Sequence, residues 1–390
     1  MAGAIIVQLC LGAIYAWSVF VNPLKETYGF TTTETQIIFS LGLASFAATM
    51  IFAGRWQDKK GPRIVATLGG VVLGIGYIMG GMSGGSFMII ALGVGIIGGA
   101  GIGLGYVCPI AACVKWFPDK RGLVTGLAVA GFGAGAWIFS ALSDMFIKSS
   151  GVLSAFIYLG IIFAAFVVIG AQLLRNPPPG WSPKGWKAAA KKVSKKTDFS
   201  GKEMLRTRQF WMLWVMFVCG ALAGLMVIGI LKPFGVTAGL SAAVAGSAVG
   251  VLALFNGAGR ITWGVLSDKI GRNRAMSMMF VLQGVMMLFL MQMGGSELTL
   301  AAAAAWVGFN FGGNFALFPS ATADYFGTKN LGMNYGLVFT SYGVAGIVGP
   351  LLGGMVFDMT GSYLWAFMPA GVLCLFAACL AFLLRPPKGA

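Results

Sequence analysis

The chain of 390 residues is 58% hydrophobic and only 10% charged, and its mean hydropathy is +0.85. Soluble domains carry about 25% charged residues, and no soluble fold of this length could cover so much apolar surface with polar groups. The formal net charge of +16 does not indicate nucleic-acid binding. The basic residues fall mainly in the loops between apolar stretches, where acidic lipid headgroups account for them.

Apolar stretches of about 20 residues, each long enough to cross a bilayer as a helix, recur along the whole chain. They predict an all-α membrane protein with about twelve transmembrane helices, half of them in each part of the chain. The predicted spans are 3–22, 35–54, 64–82, 87–114, 122–142, 153–174, 210–231, 241–263, 275–294, 298–322, 333–357 and 363–384. Residues 1–174 are therefore expected to form an N-terminal six-helix bundle and residues 209–390 a C-terminal one, joined by a basic linker at 175–208.

The two predicted bundles repeat one sequence pattern with a constant offset of 210 residues. The repeated pairs include Pro23 with Pro233, Gly98 with Gly308, Gly103 with Gly313, Pro109 with Pro319, Gly122 with Gly332, Gly126 with Gly336 and Gly133 with Gly343. Composition bias in a chain with 60 glycines can produce single glycine pairs, but not the proline pairs or the charged turns described below. The repeat predicts two pseudo-symmetric bundles, and duplicated membrane units generally bind their ligand between the halves.

The distribution of Lys and Arg predicts the orientation of the chain in the membrane. Basic residues crowd the loops on one side, and the other side holds only Lys25, Lys148 and Lys232. Because basic loops stay in the cytoplasm, both termini and the linker are predicted to be cytoplasmic, in a plasma (inner) membrane. The first span is expected to be retained rather than cleaved.

The linker contains a basic run that is equally consistent with a surface helix on anionic headgroups and with a solvated charge run. Its residues are Lys187, Lys191, Lys192, Lys195 and Lys196. All six cysteines fall within apolar spans, where a thiol generally serves as a small core residue, and the chain has no histidine. We predict no metal site and no cofactor.

Arg260 lies late in the eighth predicted span, where an arginine costs at least about 2.5–3.5 kcal/mol on insertion scales. The spans contain acidic residues only near their ends, so an anionic ligand is a candidate counter-ion. A guanidinium group matches a carboxylate in a bidentate manner. The alternative is that Arg260 extends toward the cytoplasmic turn at Asp268. Asn256, one helical turn deeper on the same face, favours a face directed toward a binding site instead.

Aromatic side chains in other spans are candidates to line the pocket around this arginine. A small organic acid has an apolar end, which such side chains suit, although aromatic residues in membrane spans more often serve only in packing. The predicted substrate-binding residues are Arg260, Asn256, Tyr106, Phe311, Phe315, Tyr342 and Tyr15.

A charged turn follows the second span of each half: G-R-W-Q-D-K-K-G at 54–61 and G-V-L-S-D-K-I-G at 264–271. On these turns the chain resembles the major facilitator superfamily, whose loop signature occurs at both places. The resemblance implies that fold over the whole chain, alternating access, and a conformational role for the motif. The motif residues are Gly54, Asp58, Lys59, Gly61 and Arg63 in the first copy, and Gly264, Asp268, Lys269, Gly271 and Arg272 in the second.

Within that superfamily, R-N-P-P-P-G-W at 175–181 and K-W-F-P-D-K-R-G-L at 115–123 resemble the oxalate:formate antiporter family. Y-A-W in span 1 and the arginine in span 8 also resemble the monocarboxylate transporters, and the resemblance implies that Arg260 binds a carboxylate. The chain departs from both families. Span 11 has no lysine, Asn256 stands where monocarboxylate transporters of animals have an aspartate, and span 1 lacks a lysine before Lys25.

These residues predict a secondary transporter of small monocarboxylates such as lactate or pyruvate. The resemblance implies proton-coupled symport, although the usual proton-relay residues are missing and the proton would have to travel on the substrate or through Asp144 or Asp324. The alternative is carboxylate:carboxylate antiport, which never requires the bare cation to cross. A ligand-sensing receptor is a second class, but the chain has no long extramembranous domain. Without a nucleophile–base pair or a set of metal ligands, an enzyme is not expected.

Overall fold

The structure is a computed structural model that describes residues 1–178, 181 and 198–387. In this part of the chain every regular element is helical, which confirms the predicted all-α fold. Eleven of the described helices are long and apolar enough to cross a membrane, and a bent pair at the N-terminus raises the number of candidate spans to 12. The predicted basic run of the linker (Lys187, Lys191, Lys192, Lys195 and Lys196) lies outside the described residues.

The first half of the chain supplies the helices up to the linker. They are α1 (Ala2–Leu11), α2 (Ser18–Tyr28), α3 (Thr32–Lys60), α4 (Pro62–Gly81), α5 (Phe87–Ile90), α6 (Gly99–Trp116), α7 (Arg121–Ser150) and α8 (Val152–Gln172). The helix α3 extends beyond the predicted apolar span at both ends, because local chemistry and not hydropathy sets its limits. Thr31 and Glu34 form a capping box at its start, and two hydrogen bonds from Thr31 lower the pKa of Glu34. Gly61, with φ of +85°, ends it.

Two segments of the first half depart from α-helical geometry. The 3₁₀ segment Gly12–Ala16 lies in the first span, which bends by 51° before its second part. The segment Ala91–Gly98 is a π-helix within the fourth span, a feature that is frequent at functional sites. Both segments border one apolar pocket. This pocket is lined by Ile14, Trp17, Ile38, Phe39, Gly42, Tyr77, Val94 and Ile102.

The second half of the described chain begins with a short helix after the linker. Its helices are α9 (Gly201–Leu205), α10 (Arg208–Thr237), α11 (Ala242–Ile270), α12 (Arg272–Phe289), α13 (Glu297–Phe326), α14 (Leu331–Thr360) and α15 (Leu364–Leu383), with a 3₁₀ segment at Leu290–Met293. The turn between α11 and α12 repeats the turn after α3, because Gly271 adopts φ of +90° at the position equivalent to Gly61.

The helices group into two compact units by their contacts. The first unit comprises Met1–Trp116, Gly131–Ser182 and Lys329–Leu337. The second comprises Phe117–Ala130, Pro183–Thr328 and Val338–Ala390. The first turns of α7 thus belong to the second unit, and the first turns of α14 belong to the first unit.

Candidate functional site

The guanidinium group of Arg260 is enclosed by protein in the second unit. The residue has no exposed surface. Its Nε donates a hydrogen bond to Asn256 Oδ1 at 2.9 Å, and its Nη1 donates to the backbone carbonyl of Val129 at 2.8 Å. Its donors are directed inward, toward an amide and a carbonyl.

A glycine explains how a backbone carbonyl of α7 reaches this arginine on α11. A Cβ atom on Gly126 would lie 2.3 Å from the carbonyl oxygen of Arg260, closer than side chains tolerate. Because position 126 is glycine, α7 can approach α11 at the residue that carries the guanidinium. The Val129 carbonyl is a partner that the sequence analysis missed, since no side-chain pattern marks it.

The aromatic residues predicted for the second unit assemble beside the guanidinium. The Cζ of Arg260 lies 4.3 Å from the centroid of the Phe315 ring, a cation–π distance. The Phe315 ring is 5.2 Å from Phe311 and 5.6 Å from Tyr342 between centroids. The five predicted residues of this unit, including Asn256, thus form one buried cluster. It combines one positive charge with three aromatic rings.

The two predicted tyrosines of the first unit form a separate group there. Tyr15 and Tyr106 both contact the ring of Phe132, with centroid distances of 5.1 Å and 5.4 Å. Gln8, which the sequence analysis did not select, donates from its buried amide to the carbonyl of Tyr106 at 3.0 Å. Neither tyrosine lines the apolar pocket at the 3₁₀ and π-helical segments.

Asp58 of the first charged turn caps the start of α14. Its carboxylate accepts hydrogen bonds from the backbone N–H groups of Gly332 at 3.2 Å and Met333 at 2.9 Å. A carboxylate at a helix N-terminus satisfies free N–H groups and interacts favourably with the helix dipole. Lys115, 3.5 Å away, supplies a positive partner. Gly54 allows the close approach, because a Cβ there would lie 2.0 Å from the Gly332 carbonyl oxygen.

Asp268 makes the same contact with the start of α7 in the second unit. It accepts from Gly122 N at 3.0 Å and Leu123 N at 2.9 Å, and Gly264 packs directly against Gly122. The offset of 210 therefore relates two equivalent helix caps. Their counter-ions differ, because Asp268 pairs with Arg272 at 2.7 Å.

The remaining basic residues of the motif have other positions. Arg272 also contacts Asp324 at 2.8 Å, and Asp324 contacts Arg121 at 2.6 Å, so these residues form an ion-pair network that the motif alone does not indicate. Arg63 donates to the Gln172 carbonyl at 2.9 Å, between α4 and α8. Lys59 and Lys269 are exposed.

The sequence profile described as Major Facilitator Superfamily matches residues 4–296 and 224–390. The chain is 34% identical over 390 residues to the oxalate:formate antiporter of Oxalobacter formigenes, covering 98% of this chain and 90% of that protein. It is 26% identical over 333 residues to monocarboxylate transporter 12 of Xenopus laevis, covering 80% and 72%. A crystal structure of the transporter FucP in the outward conformation has the same fold, with a TM-score of 0.71 at 16% identity over 98% of each chain.

Proposed function

Since the chain belongs to the major facilitator superfamily, we propose that it is a secondary transporter of small monocarboxylates such as lactate and pyruvate. The observation that supports the proposal best is the fully buried guanidinium of Arg260 in the second unit. Its Nε and Nη1 donate to an amide and to a backbone carbonyl, and its Cζ lies over a phenyl ring. A carboxylate substrate would neutralise this cation, and a neutral site can be enclosed at much lower cost than a bare charge.

The chemistry of the cluster favours an acid with one carboxylate and a small apolar remainder. Arg260 supplies one positive charge, and span 11 contributes no lysine or arginine that could bind a second carboxylate. The rings of Phe311, Phe315 and Tyr342 offer apolar contact to the remainder of the substrate. Asn256 fixes the guanidinium through Nε, so that a carboxylate would meet an oriented group. For Tyr106 and Tyr15 of the first unit, a role in binding the substrate stays a prediction.

Proton symport and exchange of carboxylates are the two candidate coupling mechanisms, and the local chemistry favours exchange. Proton symport requires a group that carries the proton, and the Asn256 amide, the Val129 carbonyl and the Phe315 ring are not such groups. Of the acids considered for this role, Asp144 pairs with Lys148 at 2.5 Å and Asp324 bridges Arg121 and Arg272. Exchange of one carboxylate for another requires no such group, because the arginine is neutralised in both directions. The 34% identity to an oxalate:formate antiporter also supports exchange.

The proposal includes the membrane and the path of transport. The basic loops support an inner-membrane protein with both termini in the cytoplasm. A carrier of this superfamily would expose its site to one side of the membrane at a time. The contacts of Asp58 with α14 and of Asp268 with α7 are candidates for interactions that form and break in that cycle.

The experiment is uptake of radiolabelled pyruvate, lactate, formate and oxalate by purified protein in liposomes. We expect uptake of the monocarboxylates by the wild-type protein and none by Arg260→Ala. The exposed Arg274, changed to Ala, is the control for loss of an arginine elsewhere in the same unit. Equal uptake by Arg260→Ala and the wild-type protein would refute the role of this guanidinium.

Two variations of the assay separate the coupling mechanisms. Exchange predicts uptake only when the liposomes contain an internal carboxylate, with no effect of a pH gradient. Symport predicts uptake into empty liposomes that increases when the outside is acidic. A protein that binds monocarboxylates but moves none under either condition would instead be a receptor.

A further inference from the structure

Three buried carboxamides lie inside the second unit, on helices α12 and α13. Gln283, Asn310 and Asn314 are 3%, 2% and 2% exposed. Among the described residues, neither amide atom of Gln283 has a hydrogen-bond partner, and the same holds for Oδ1 of Asn310 and of Asn314. The amide nitrogen of Asn314 donates to the Phe311 carbonyl at 3.0 Å, which fixes the direction of its oxygen. A buried polar group without a partner is destabilising, so each of these atoms requires a partner.

The packing of a glycine places Asn314 beside Phe280. A Cβ on Gly220 of α10 would lie 2.8 Å from Asn314 Oδ1 and 2.6 Å from Phe280 of α12, so the oxygen and the ring meet at this glycine. One helical turn farther along the two antiparallel helices stand Asn310 and Gln283. Because α12 and α13 are antiparallel, one turn back from Asn314 and one turn on from Phe280 bring Asn310 and Gln283 to the same level of the helix pair.

The internal repeat shows that the fold does not require amides at these positions. Subtracting 210 places Leu73, Ala100 and Leu104 at the positions of Gln283, Asn310 and Asn314. Gly220 corresponds to Cys10, so the first unit has a side chain where the second has none. Leu73, Leu104 and Cys10 are buried apolar residues of the first unit. The amides are therefore a property of one half alone.

The chemistry of the unpaired atoms determines what they bind. The cluster offers both a donor, Nε2 of Gln283, and acceptor oxygens, and all three side chains are uncharged. A cation would use only the oxygens, would leave the Gln283 donor unpaired, and would find no carboxylate among the three amides. Water both donates and accepts, and a buried water typically makes about three hydrogen bonds to polar groups of this kind. We propose that Gln283, Asn310 and Asn314 bind water within the second unit, as a permanent part of its core.

This site adjoins the Arg260 cluster through the Phe311 carbonyl but does not depend on the proposed function. Arg260 contacts Asn256, the Val129 carbonyl and the Phe315 ring, whereas the amide oxygen of Asn314 is directed at α10 and Phe280. A protein that transports nothing would still contain the water.

Hydroxyl-radical footprinting by X-ray radiolysis tests the proposal, because radicals form at bound waters and label the side chains beside them. Phe280 is the reporter and Phe163 of the first unit is the control, since both are fully buried. In the purified 390-residue protein in detergent we expect labelling of Phe280 and none of Phe163. The triple variant Gln283→Leu, Asn310→Ala, Asn314→Leu, which installs the residues of the first half, should reduce labelling of Phe280 to the level of Phe163.

The single variant Asn314→Leu serves if the triple variant does not fold, and it should also reduce the labelling of Phe280. A wild-type Phe280 that is labelled no more than Phe163 would overturn the proposal. Labelling that persists in the folded variants would also overturn it, because the water would then be held by other groups.

Discussion

Replacing Arg260 with lysine tests whether the shape of the cation, beyond its charge, binds the substrate. Lysine keeps the charge but loses the planar fork that matches both oxygens of a carboxylate. It also cannot reproduce two fixed contacts, from Nε to Asn256 at 2.9 Å and from Nη1 to the Val129 carbonyl at 2.8 Å. The ammonium group would therefore be less precisely oriented than the guanidinium.

The magnitude follows from the number of charge-assisted hydrogen bonds that are lost. One such bond contributes about 1.5–3 kcal/mol, and each 1.4 kcal/mol corresponds to about a tenfold change in affinity. Losing one of the two bonds to a carboxylate should therefore weaken binding by about 10- to 100-fold. Removing the charge as well, in Arg260→Gln, should weaken it further.

The assay is substrate-induced thermal stabilisation of the purified protein, titrated with pyruvate, together with uptake into liposomes. Arg274→Lys is the matched control, because Arg274 is exposed and lies outside the cluster. The control should bind and transport as the wild-type protein does. Binding of pyruvate by Arg260→Lys at wild-type affinity would contradict the bidentate arrangement, and the guanidinium would then act only as a point charge or in packing.

Two further predictions concern the surroundings of Arg260. Asn256→Asp places a carboxylate at the acceptor of Arg260 Nε, where it competes with the substrate for the guanidinium. Because protonation removes this competitor, uptake should become higher at acidic pH than at neutral pH. A flat pH profile of uptake would count against a role of residue 256 at this site. Gly126→Ala should lower the melting temperature and weaken substrate binding, because the added Cβ would lie 2.3 Å from the Arg260 carbonyl oxygen and overpacking costs about 1–3 kcal/mol. Its repeat equivalent Gly336→Ala, where the Cβ would lie 2.7 Å from the Met50 carbonyl oxygen, should lower the melting temperature alone, and equal loss of binding in both variants would show that the effect is general to helix packing.

The sequence was sufficient to predict the helical membrane fold and its family, because both depend on hydropathy and on repeated motifs, which can be read from the sequence itself. Hydropathy over a bilayer-length window gave the spans, and the fixed offset between Asp58 and Asp268 gave the duplication. The same reasoning singled out Arg260, since a cation in an apolar span is costly wherever the helix packs. Helix ends were less predictable. The helix α3 continues to Lys60 because Gly61 and not the end of the apolar run stops it.

The partners of these residues were decided only by the tertiary structure. Arg260 contacts a backbone carbonyl of α7, and Asp58 and Asp268 bind backbone N–H groups of α14 and α7. Because these partners are backbone groups, no side-chain pattern in the sequence indicates them. The aromatic candidates looked equivalent in the sequence, yet Phe315 lies over the guanidinium while Tyr15 and Tyr106 surround Phe132 in the other unit. An amino-acid sequence records which groups each residue carries and how they alternate along a helix. Long-range contact depends on how closely two backbones approach, and in this chain that is set by glycines whose neighbours are distant in sequence.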